Sequence, residues 1–415
     1  MTNRLLSEVA GRLNILSEYR RAASMFSDIC SQYDSSERGQ CRIIMVTHIL
    51  PDKIAYFEAL QREFGIAAII PKSYSIHRPT LDLLHGSGFA ISSLTKRQLR
   101  TQRVRSLAFL RSHIQDHRFI VLDMGGYFAS IASAMNDHFK AQMIGIVEDT
   151  ENGHQKYLAA FSKRPARFPY VSSARSPLKE PEDSLIGLSI VFSAEAELRT
   201  RNIILLNKTA LVLGYGKIGR SIAESLRRRD VDVYVSEIDH ERSVQARSHG
   251  FRLADAIHDL LPCVDITFSA TGNRALGLAE FARMKNEAYV VSATSADDEM
   301  RRDDLIGGGY RRHPINDGAT IKYVKGKKSL YLIADGEAAN FLHCGSVGPY
   351  IHLVQGEIFG AALSVASIAR NGRPYFPNGM HEVSASQRQI VANSWKRAFN
   401  DSRLILLNPN RPVSP

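Results

Sequence analysis

The chain has 415 residues, of which 44% are hydrophobic and 23% charged, and its formal net charge is +11. This length predicts two domains, and the composition is typical of a globular protein with a sizeable core. The sequence lacks a run of the roughly 20 apolar residues that a membrane span needs, and its N-terminus lacks the apolar core of a signal peptide. The four cysteines show no metal-binding spacing. We therefore expect a cytoplasmic protein with no membrane partner and no metal site.

Part of the positive charge is concentrated in one predicted helix, which contains Lys96, Arg97, Arg100, Arg103 and Arg105. Few aromatic residues lie between these side chains, and the sequence shows no signature of a nucleic-acid-binding fold. A solvated helix face explains the cluster better than a nucleic-acid surface does. We expect a small-molecule substrate and no nucleic-acid partner.

Strands and helices alternate along the first part of the chain. Residues 1–40 are predicted to be helical, and the alternation then runs from Cys41 to about Ser173. Such alternation predicts a parallel sheet with helices on both faces. The predicted strands are 42–46, 67–70, 89–92, 119–122 and 142–147. The predicted helices are 51–64, 78–86, 95–111, 127–139 and 152–164.

A glycine-rich segment is the most specific feature of the second part. Gly214, Gly216 and Gly219 follow an apolar run and open an amphipathic helix, whose first turn also contains Lys217 and Ile218. The first glycine permits a tight turn, the second lets the backbone approach a pyrophosphate, and the third allows close packing of helix on strand. The free amide groups of the helix N-terminus favour the same anion.

An acid follows at the distance expected for a ribose-binding residue. Glu237 comes just after the apolar run 231–235. Its carboxylate can accept hydrogen bonds from both ribose hydroxyls and would repel a 2′-phosphate, which predicts NAD as the cofactor in preference to NADP. Predicted strands 266–269 and 289–292 and a hairpin over 320–333 extend this second alternating unit.

Together these patterns predict an α/β protein with two doubly wound, parallel-sheet, Rossmann-like domains. We expect an N-terminal helical segment (1–40), a substrate and catalytic domain (41–185 with 349–390), an NAD-binding domain (186–348), and a C-terminal helix and tail (391–415). Long helices are predicted over 351–369 and 384–399.

Several motifs in this order resemble those of the adenosylhomocysteinases, NAD-dependent hydrolases that split S-adenosylhomocysteine. They lie at 122–126, 145–150, 209–239, 270–273, 286–290 and 334–340, and the likeness covers about residues 40–390. In that family, bound NAD oxidises the ribose 3′-hydroxyl to a ketone, the 5′ thiol is then eliminated, water adds, and the ketone is reduced again. The resemblance implies a nucleoside-like or sugar-like substrate and a homo-oligomer.

The resemblance also implies roles for individual side chains. Lys179 and Asp183 would bracket the 3′-hydroxyl, on one face if their segment is helical, and His48 would serve the leaving group. The NAD-binding residues would be Gly214, Gly216, Lys217, Ile218, Gly219, Glu237, Thr150, Thr271, Gly272, Asn273 and Asn340.

The sequence departs from the family at positions that transfer protons. Met124 stands in place of a catalytic aspartate, Asp149 in place of a glutamate, and Ser295 and Gly348 in place of histidines. The Lys and Tyr of the family's C-terminal tail have no counterpart in residues 407–415. Asp123 and Asp149 are the nearest candidates for a substitute base, and His343 is a candidate for replacing a lost histidine, although a packing role is expected for it.

Three functions therefore stay open. The first is an NAD-dependent enzyme that oxidises a secondary hydroxyl of a sugar, nucleoside or related substrate, with elimination, hydration or epimerisation as a following step. The second is genuine hydrolysis of S-adenosylhomocysteine with substituted residues. The third is a catalytically silent NAD-binding regulatory protein.

Overall fold

The computed structural model describes residues 15–33, 38–140, 142–315, 318–343, 345–367 and 376–400. The chain divides into two compact units, Met1–Lys179 with Gly348–Pro415, and Glu180–Val347. The predicted tail, 407–415, lies outside the described residues. The first boundary precedes the expected one at 185, because a single helix begins at Glu180 and packs within the second unit.

The first unit is built on a six-stranded parallel sheet. Its strands are β1 (Cys41–Ile49), β2 (Ile66–Ile76), β3 (Arg118–Asp123), β4 (Met143–Glu148), β5 (Pro169–Ser172) and β14 (Gly379–Glu382). Their spatial order is β14-β5-β4-β3-β1-β2. Every residue of β4 is buried, as expected for a strand covered on both faces.

Helices cover both faces of this sheet. They are α1 (Leu16–Ser31), α2 (Ile54–Glu63), α3 (Arg78–Gly86), α4 (Lys96–Thr101), α5 (Arg103–Ile114), α6 (Ala132–Phe139), α7 (Glu151–Lys163), α15 (Ile351–Ala366) and α16 (Ala385–Phe399). Helix α15 is buried along its whole length and packs on β3, β4, α1 and α16. The N-terminal and C-terminal helices therefore belong to the core of this unit.

Two local expectations for this unit are wrong, and two of its strands were not predicted. The predicted strand 89–92 forms only a single bridge, between Ile91 and Ile69. The predicted helix 95–111 is two helices, which meet at the non-helical residue Gln102. Strand β5 and the edge strand β14 were not predicted, because their sequences offer only four residues each and β14 has no apolar run.

The second unit contains an eight-stranded sheet in the order β11-β12-β13-β10-β9-β6-β7-β8. Its strands are β6 (Thr209–Leu213), β7 (Asp232–Ser236), β8 (Arg252–Leu253), β9 (Ile266–Ser269), β10 (Ala288–Ser292), β11 (Arg311–Pro314), β12 (Ile321–Lys325) and β13 (Lys328–Leu332). The strands from β8 to β13 in this order are parallel, whereas β11 and β12 are antiparallel additions. The predicted hairpin is present as β12 and β13.

The helices of the second unit are α8 (Glu180–Arg199), α9 (Lys217–Arg227), α10 (His240–Ser248), α11 (Ile257–Leu260), α12 (Leu278–Arg283), α13 (Ala296–Glu299) and α14 (Arg302–Gly307). Helix α8 packs against α9, the helix that follows the glycine-rich turn. Two sheets with flanking helices confirm the predicted α/β fold class. None of the helices in the described ranges has the length and apolar character that a bilayer span requires.

Candidate functional site

The glycine-rich turn has the geometry that a dinucleotide requires. Gly214 has a φ of 90°, and its amide donates to the carbonyl of Ser236 at 2.8 Å. A Cβ at Gly219 would lie 2.1 Å from the carbonyl oxygen of Gly214, so only glycine lets α9 start this close to β6. Beside Gly216, the nearest atom to an added Cβ is a guanidinium nitrogen of Arg242 at 3.8 Å. The backbone of this turn is therefore open to a ligand.

Glu237 connects the end of β7 to that turn. Its Oε2 accepts a hydrogen bond from the amide of Tyr215 at 2.6 Å, and its Oε1 accepts one from the amide of Asp239 at 2.9 Å. Each carboxylate oxygen keeps further acceptor capacity. The side chain is thus fixed next to the glycine-rich turn and can still accept hydrogen bonds from ribose hydroxyls.

A buried acid that the sequence analysis missed fixes the neighbouring loops. The carboxylate of Glu299 accepts hydrogen bonds from the amides of Thr271 and Gly272 at 2.9 and 3.1 Å, and from the hydroxyls of Ser269 and Thr294 at 2.9 and 2.8 Å. These donors lie at or just after the ends of β9 and β10. Glu299 therefore shapes the loop predicted to contact NAD, although no motif marks it in the sequence.

Two asparagines complete the candidate cofactor residues. The amide of Asn273 donates to the Thr271 hydroxyl at 3.1 Å, which tightens the same loop. Asn340 is 4% exposed, and its Oδ1 has no hydrogen-bond partner among the described residues. A buried acceptor of this kind is costly unless a ligand donor reaches it. The residues of the second unit therefore fit a bound dinucleotide.

Asp183 and Lys217 form an ion pair within the second unit. Asp183 is 6% exposed and lies in the first turn of α8, with its Oδ2 3.6 Å from the Lys217 ammonium nitrogen. Pro181 does not break this helix, because a proline in the first turn lacks only an amide that would have no helical partner. Lys179 precedes the helix and ends the short turn Pro177–Lys179. Lys179 is thus the residue directly before the helix that contains Asp183, and their shared role on the substrate hydroxyl stays a prediction.

His48 lies within β1, close to its carboxyl end, and not after the strand as expected from the shorter predicted range. Its Nδ1 is hydrogen-bonded to the hydroxyl of Ser75. Burial holds the pKa of His48 well below its ordinary value, and the nearby charges of Lys72, Lys53 and Lys179 lower it further. The imidazole is therefore neutral at neutral pH.

The side chain of His343 packs against helix α8. Its Nδ1 is 3.1 Å from the hydroxyl of Ser193, and its ring meets Phe192 edge-on with the centroids 5.5 Å apart. These contacts support the expected packing role.

The carboxylate of Asp123 accepts hydrogen bonds from the loop that follows it. Its two oxygens accept hydrogen bonds from the amides of Met124, Tyr127 and Phe128 at 2.9–3.1 Å, and from the hydroxyl of Tyr157 at 2.7 Å. Burial nevertheless raises the pKa of the Asp123 carboxyl. These four bonds favour a structural role for Asp123 over that of a substitute base.

The next strand ends in a second structural acid. Glu148 accepts hydrogen bonds from the amides of Gly125 and Gly126 at 3.0 and 2.9 Å, and from the amide and hydroxyl of Thr150 at 2.8 and 2.6 Å. Burial and the charges of Asp123 and Asp149 raise the pKa of Glu148 to about 8. Glu148 therefore ties the glycine pair after β3 to the start of α7.

The remaining predicted residues of the first unit have distinct surroundings. The Thr150 hydroxyl caps α7 by accepting from the amide of Gly153 at 3.0 Å. Asp149 is 4% exposed, and its charge raises the pKa of Tyr56. Met124 is 7% exposed and packs in an apolar cluster, so it contributes no proton-transferring group. Asp149 stays a candidate for the substitute base in this part of the first unit.

Comparisons with known proteins identify a matching family model and several relatives of this chain. Residues 193–347 match the family model described as S-adenosyl-L-homocysteine hydrolase, NAD binding domain. The chain is 26% identical over 279 residues to an adenosylhomocysteinase from Thermosynechococcus vestitus, which covers 67% of this chain and 64% of that relative. It is 29% identical over 253 residues to an S-inosyl-L-homocysteine hydrolase from Methanopyrus kandleri, which covers 60% of this chain and 58% of the relative.

The matches thus span less than two thirds of the length of either relative. Among solved structures, a putative D-isomer specific 2-hydroxyacid dehydrogenase, NAD-binding, from Polaromonas sp. is 15% identical, with a TM-score of 0.38 over 64% of this chain and 77% of that one. The glycine-rich turn, the acid after β7 and the matching family model agree on the cofactor, which is NAD. Residues 193–347 therefore match the NAD-binding domain of the S-adenosyl-L-homocysteine hydrolase family, and the chain is similar to the two relatives at 26% and 29% identity.

Proposed function

We propose that this chain is an NAD-dependent enzyme that oxidises a secondary hydroxyl of a sugar, nucleoside or related small molecule. One observation carries the proposal. The second unit keeps the turn, the acid and the buried asparagine that a dinucleotide needs, while the first unit has an apolar methionine at the family's base position. The chain therefore has the residues that bind the oxidising cofactor, but it lacks the base that the family uses in hydrolysis.

Separate side chains would bind the cofactor and act on the substrate hydroxyl. The turn around Gly216 would hold the pyrophosphate, Glu237 the adenosine ribose, and Asn340 an amide donor of the cofactor. When bound, NAD supplies the acceptor for the electrons of the alcohol. Lys179, in its unprotonated form, takes the proton of the substrate hydroxyl at Nζ. Asp183, which forms an ion pair with Lys217, is the second residue that would act on the substrate hydroxyl.

His48 would act as a neutral hydrogen-bonding group. Because burial and three lysines depress its pKa, it can accept a proton but does not hold one at neutral pH. Its Nδ1 is hydrogen-bonded to the hydroxyl of Ser75, which fixes the orientation of the ring. Retention of His48 together with Lys179 and Asp183 favours an enzyme over a silent NAD-binding protein.

Hydrolysis of S-adenosylhomocysteine is the weaker alternative. The relatives are named for adenosyl and inosyl substrates, but here the base position is Met124 and the adjacent Asp123 is engaged by four donors. Transient oxidation followed by elimination, hydration or epimerisation would require a second proton-transferring group. Asp149 is the candidate for that group in the first unit.

The test is a single-turnover experiment with NAD-loaded protein. A panel of sugar, polyol and nucleoside alcohols is mixed with excess enzyme, and the absorbance of reduced NAD is followed. We expect at least one alcohol to give a signal, and Lys179→Met to abolish it. The matched control is Lys163→Met, which changes an exposed lysine on α7.

Stability separates a catalytic role of Lys179 from a structural one. Lys179→Met should change the free energy of unfolding by only about 0.5 kcal/mol and should leave NAD binding unchanged. Reduction of NAD by the variant at the parental rate would contradict the assignment of Lys179. If no alcohol in the panel reduces NAD in the parent protein, the silent NAD-binding function is favoured instead.

A further inference from the structure

Two lysines of the first unit are buried without an acidic partner. Lys53 is 3% exposed and ends the short turn that follows β1, and Lys72 is 8% exposed and lies in β2. Neither forms a hydrogen bond or an ion pair with any side chain in the described part of the chain. We call Lys53 and Lys72 the paired lysines.

Aromatic rings and a glycine surround the Lys72 ammonium. Its Nζ is 5.7 Å from the ring centroid of Tyr74 and 6.0 Å from that of Tyr127. It also lies 3.5 Å from the position that a Cβ on Gly125 would take. The Nζ of Lys96 is 5.8 Å from the same Tyr127 ring, so two cations approach one aromatic side chain. The ammonium of Lys72 is therefore directed to the loop after β3 at the carboxyl edge of the sheet.

The positive charges of both paired lysines affect the side chain of His48. Its ring centroid is 6.0 Å from that of Tyr74, beside which Lys72 lies. The charges of Lys72 and Lys53 are the two largest electrostatic causes that lower the pKa of His48. The charges of both ammonium groups therefore act on the same imidazole.

Lys53, Lys72 and Lys179 each contribute a positive charge that acts on His48. Asp149 is the acid on the Lys53 side, since it raises the pKa of Tyr56 while the Lys53 ammonium lies 5.8 Å from the Tyr56 ring. Burying a cation is costly unless an anion or several acceptors compensate it. A ligand anion would supply that compensation.

We propose that the paired lysines bind a phosphate group of the substrate, so that the alcohol oxidised by this enzyme is a phosphate ester. The identity of the occupant as substrate rests on the proposed function. A phosphate monoester carries nearly two negative charges at neutral pH and offers three acceptor oxygens. Two lysine ammonium groups match it in charge, and the neutral His48 can add a hydrogen bond. This assignment leaves Lys179 to act on the hydroxyl.

Binding of inorganic phosphate tests the site without turnover. The full-length, NAD-loaded protein is titrated with phosphate and followed by phosphorus NMR line broadening, with Lys53→Met and Lys72→Met beside the control Lys163→Met. We expect saturable binding by the parent and the control. Each paired-lysine variant should bind about tenfold more weakly or worse, because a charged hydrogen-bonding group is lost.

Several outcomes would overturn the proposal. They are the absence of saturable phosphate binding by the parent, equal affinity in the parent and both variants, and equally tight binding of acetate through the same lysines, which would assign a carboxylate site. Thermal melting shows whether each variant is folded, and Lys53→Gln and Lys72→Gln replace any that is not. Because no turnover is involved, a negative result here leaves the alcohol oxidation standing, and a failure of oxidation leaves the phosphate site standing.

Discussion

Both oxygens of Glu237 accept backbone hydrogen bonds, one from Tyr215 inside the glycine-rich turn and one from Asp239 at the start of α10. The carboxylate therefore holds the turn in shape before any cofactor is present. The same negative charge faces the region where a 2′-phosphate would lie in NADP. Local structure and cofactor choice thus depend on one side chain.

We predict that Glu237→Ala weakens NAD binding and narrows the preference for NAD over NADP. Loss of the acceptor for two ribose hydroxyls should reduce the NAD affinity about tenfold or more, and loss of the charge removes the repulsion of the 2′-phosphate. Calorimetric titration of the apoprotein with both cofactors measures this. Glu241→Ala, an exposed acid on α10, is the control and should match the parent. Equal affinity of the parent for NAD and NADP would contradict the prediction.

The raised pKa of Glu148 leads us to predict that the stability of the protein depends on pH. Burial and two nearby carboxylates raise the pKa of Glu148 from its ordinary value of 4.5 to about 8 in the folded protein. The folded state therefore holds this proton more tightly than the unfolded state does. The resulting stability is fully present below about pH 4.5 and is lost as the pH rises through about 8.

Urea denaturation at a series of pH values measures this effect. We expect the contribution of Glu148 to the free energy of unfolding to fall as the pH rises between about 5 and about 8. Glu148→Gln, which does not titrate, should show a flatter profile and a lower overall stability, because its amide nitrogen cannot accept the hydrogen bond from Gly126. A variant with the same slope as the parent would show that another group titrates.

At the scale of elements, the loops after β3 and β4 form one hydrogen-bonded assembly. Asp123 organises residues 124–128, and Glu148 joins Gly125 and Gly126 to the start of α7. Close packing makes this possible, since a Cβ on Gly153 would lie 2.2 Å from the Glu148 carboxyl carbon. The carboxyl ends of these strands are thus fixed by acids that accept, and need not transfer, protons.

We predict that Gly153→Ala destabilises the protein by about 1–3 kcal/mol, the usual cost of overpacking a filled site. The added methyl group would displace the Glu148 carboxylate from its donors. Gly86→Ala, at the end of α3, is the matched control, because an added Cβ there meets no atom within 4 Å. Denaturant unfolding measures both variants. Equal stabilities of the two variants would show that the Glu148 assembly moves without cost.

The elements that the sequence predicted well are those whose pattern is local. The turn at Gly214, the following helix and the hairpin each have a short-range signature, and each is present. The structural roles of Glu148 and Glu299 could not be predicted, because their donors are brought together only when neighbouring strands pair. The burial of Lys53 and Lys72 was missed for the same reason, since a lysine in sequence suggests an exposed position.

At the scale of the whole molecule, the two units resemble the adenosylhomocysteinase family to different degrees. The second unit matches the family model over residues 193–347 and keeps each glycine of the dinucleotide turn. The first unit keeps His48 and Lys179 but has acquired Met124 and contains the paired lysines. The net charge of +11 accords with an anionic ligand for the protein.

This division predicts weak or absent hydrolysis of S-adenosylhomocysteine by NAD-loaded protein. Met124, Ser295 and Gly348 replace three family groups that transfer protons, and each such group typically contributes roughly 100- to 10,000-fold in rate. Asp123 does not compensate, because its oxygens are engaged by four donors within the loop. Ser295 donates to Asp298 at 2.7 Å and is a neutral hydroxyl, so it cannot act as the missing histidine.

Release of homocysteine, followed with a thiol reagent under steady-state conditions, measures the reaction. We expect a rate far below the order of 1 per second that an ordinary enzyme reaches. The single change Met124→Asp should not restore that rate, since the positions of Ser295 and Gly348 remain without a proton carrier. Turnover by the parent at an ordinary enzymatic rate would contradict the prediction and would make Asp149, which is 4% exposed, the first candidate for the missing base.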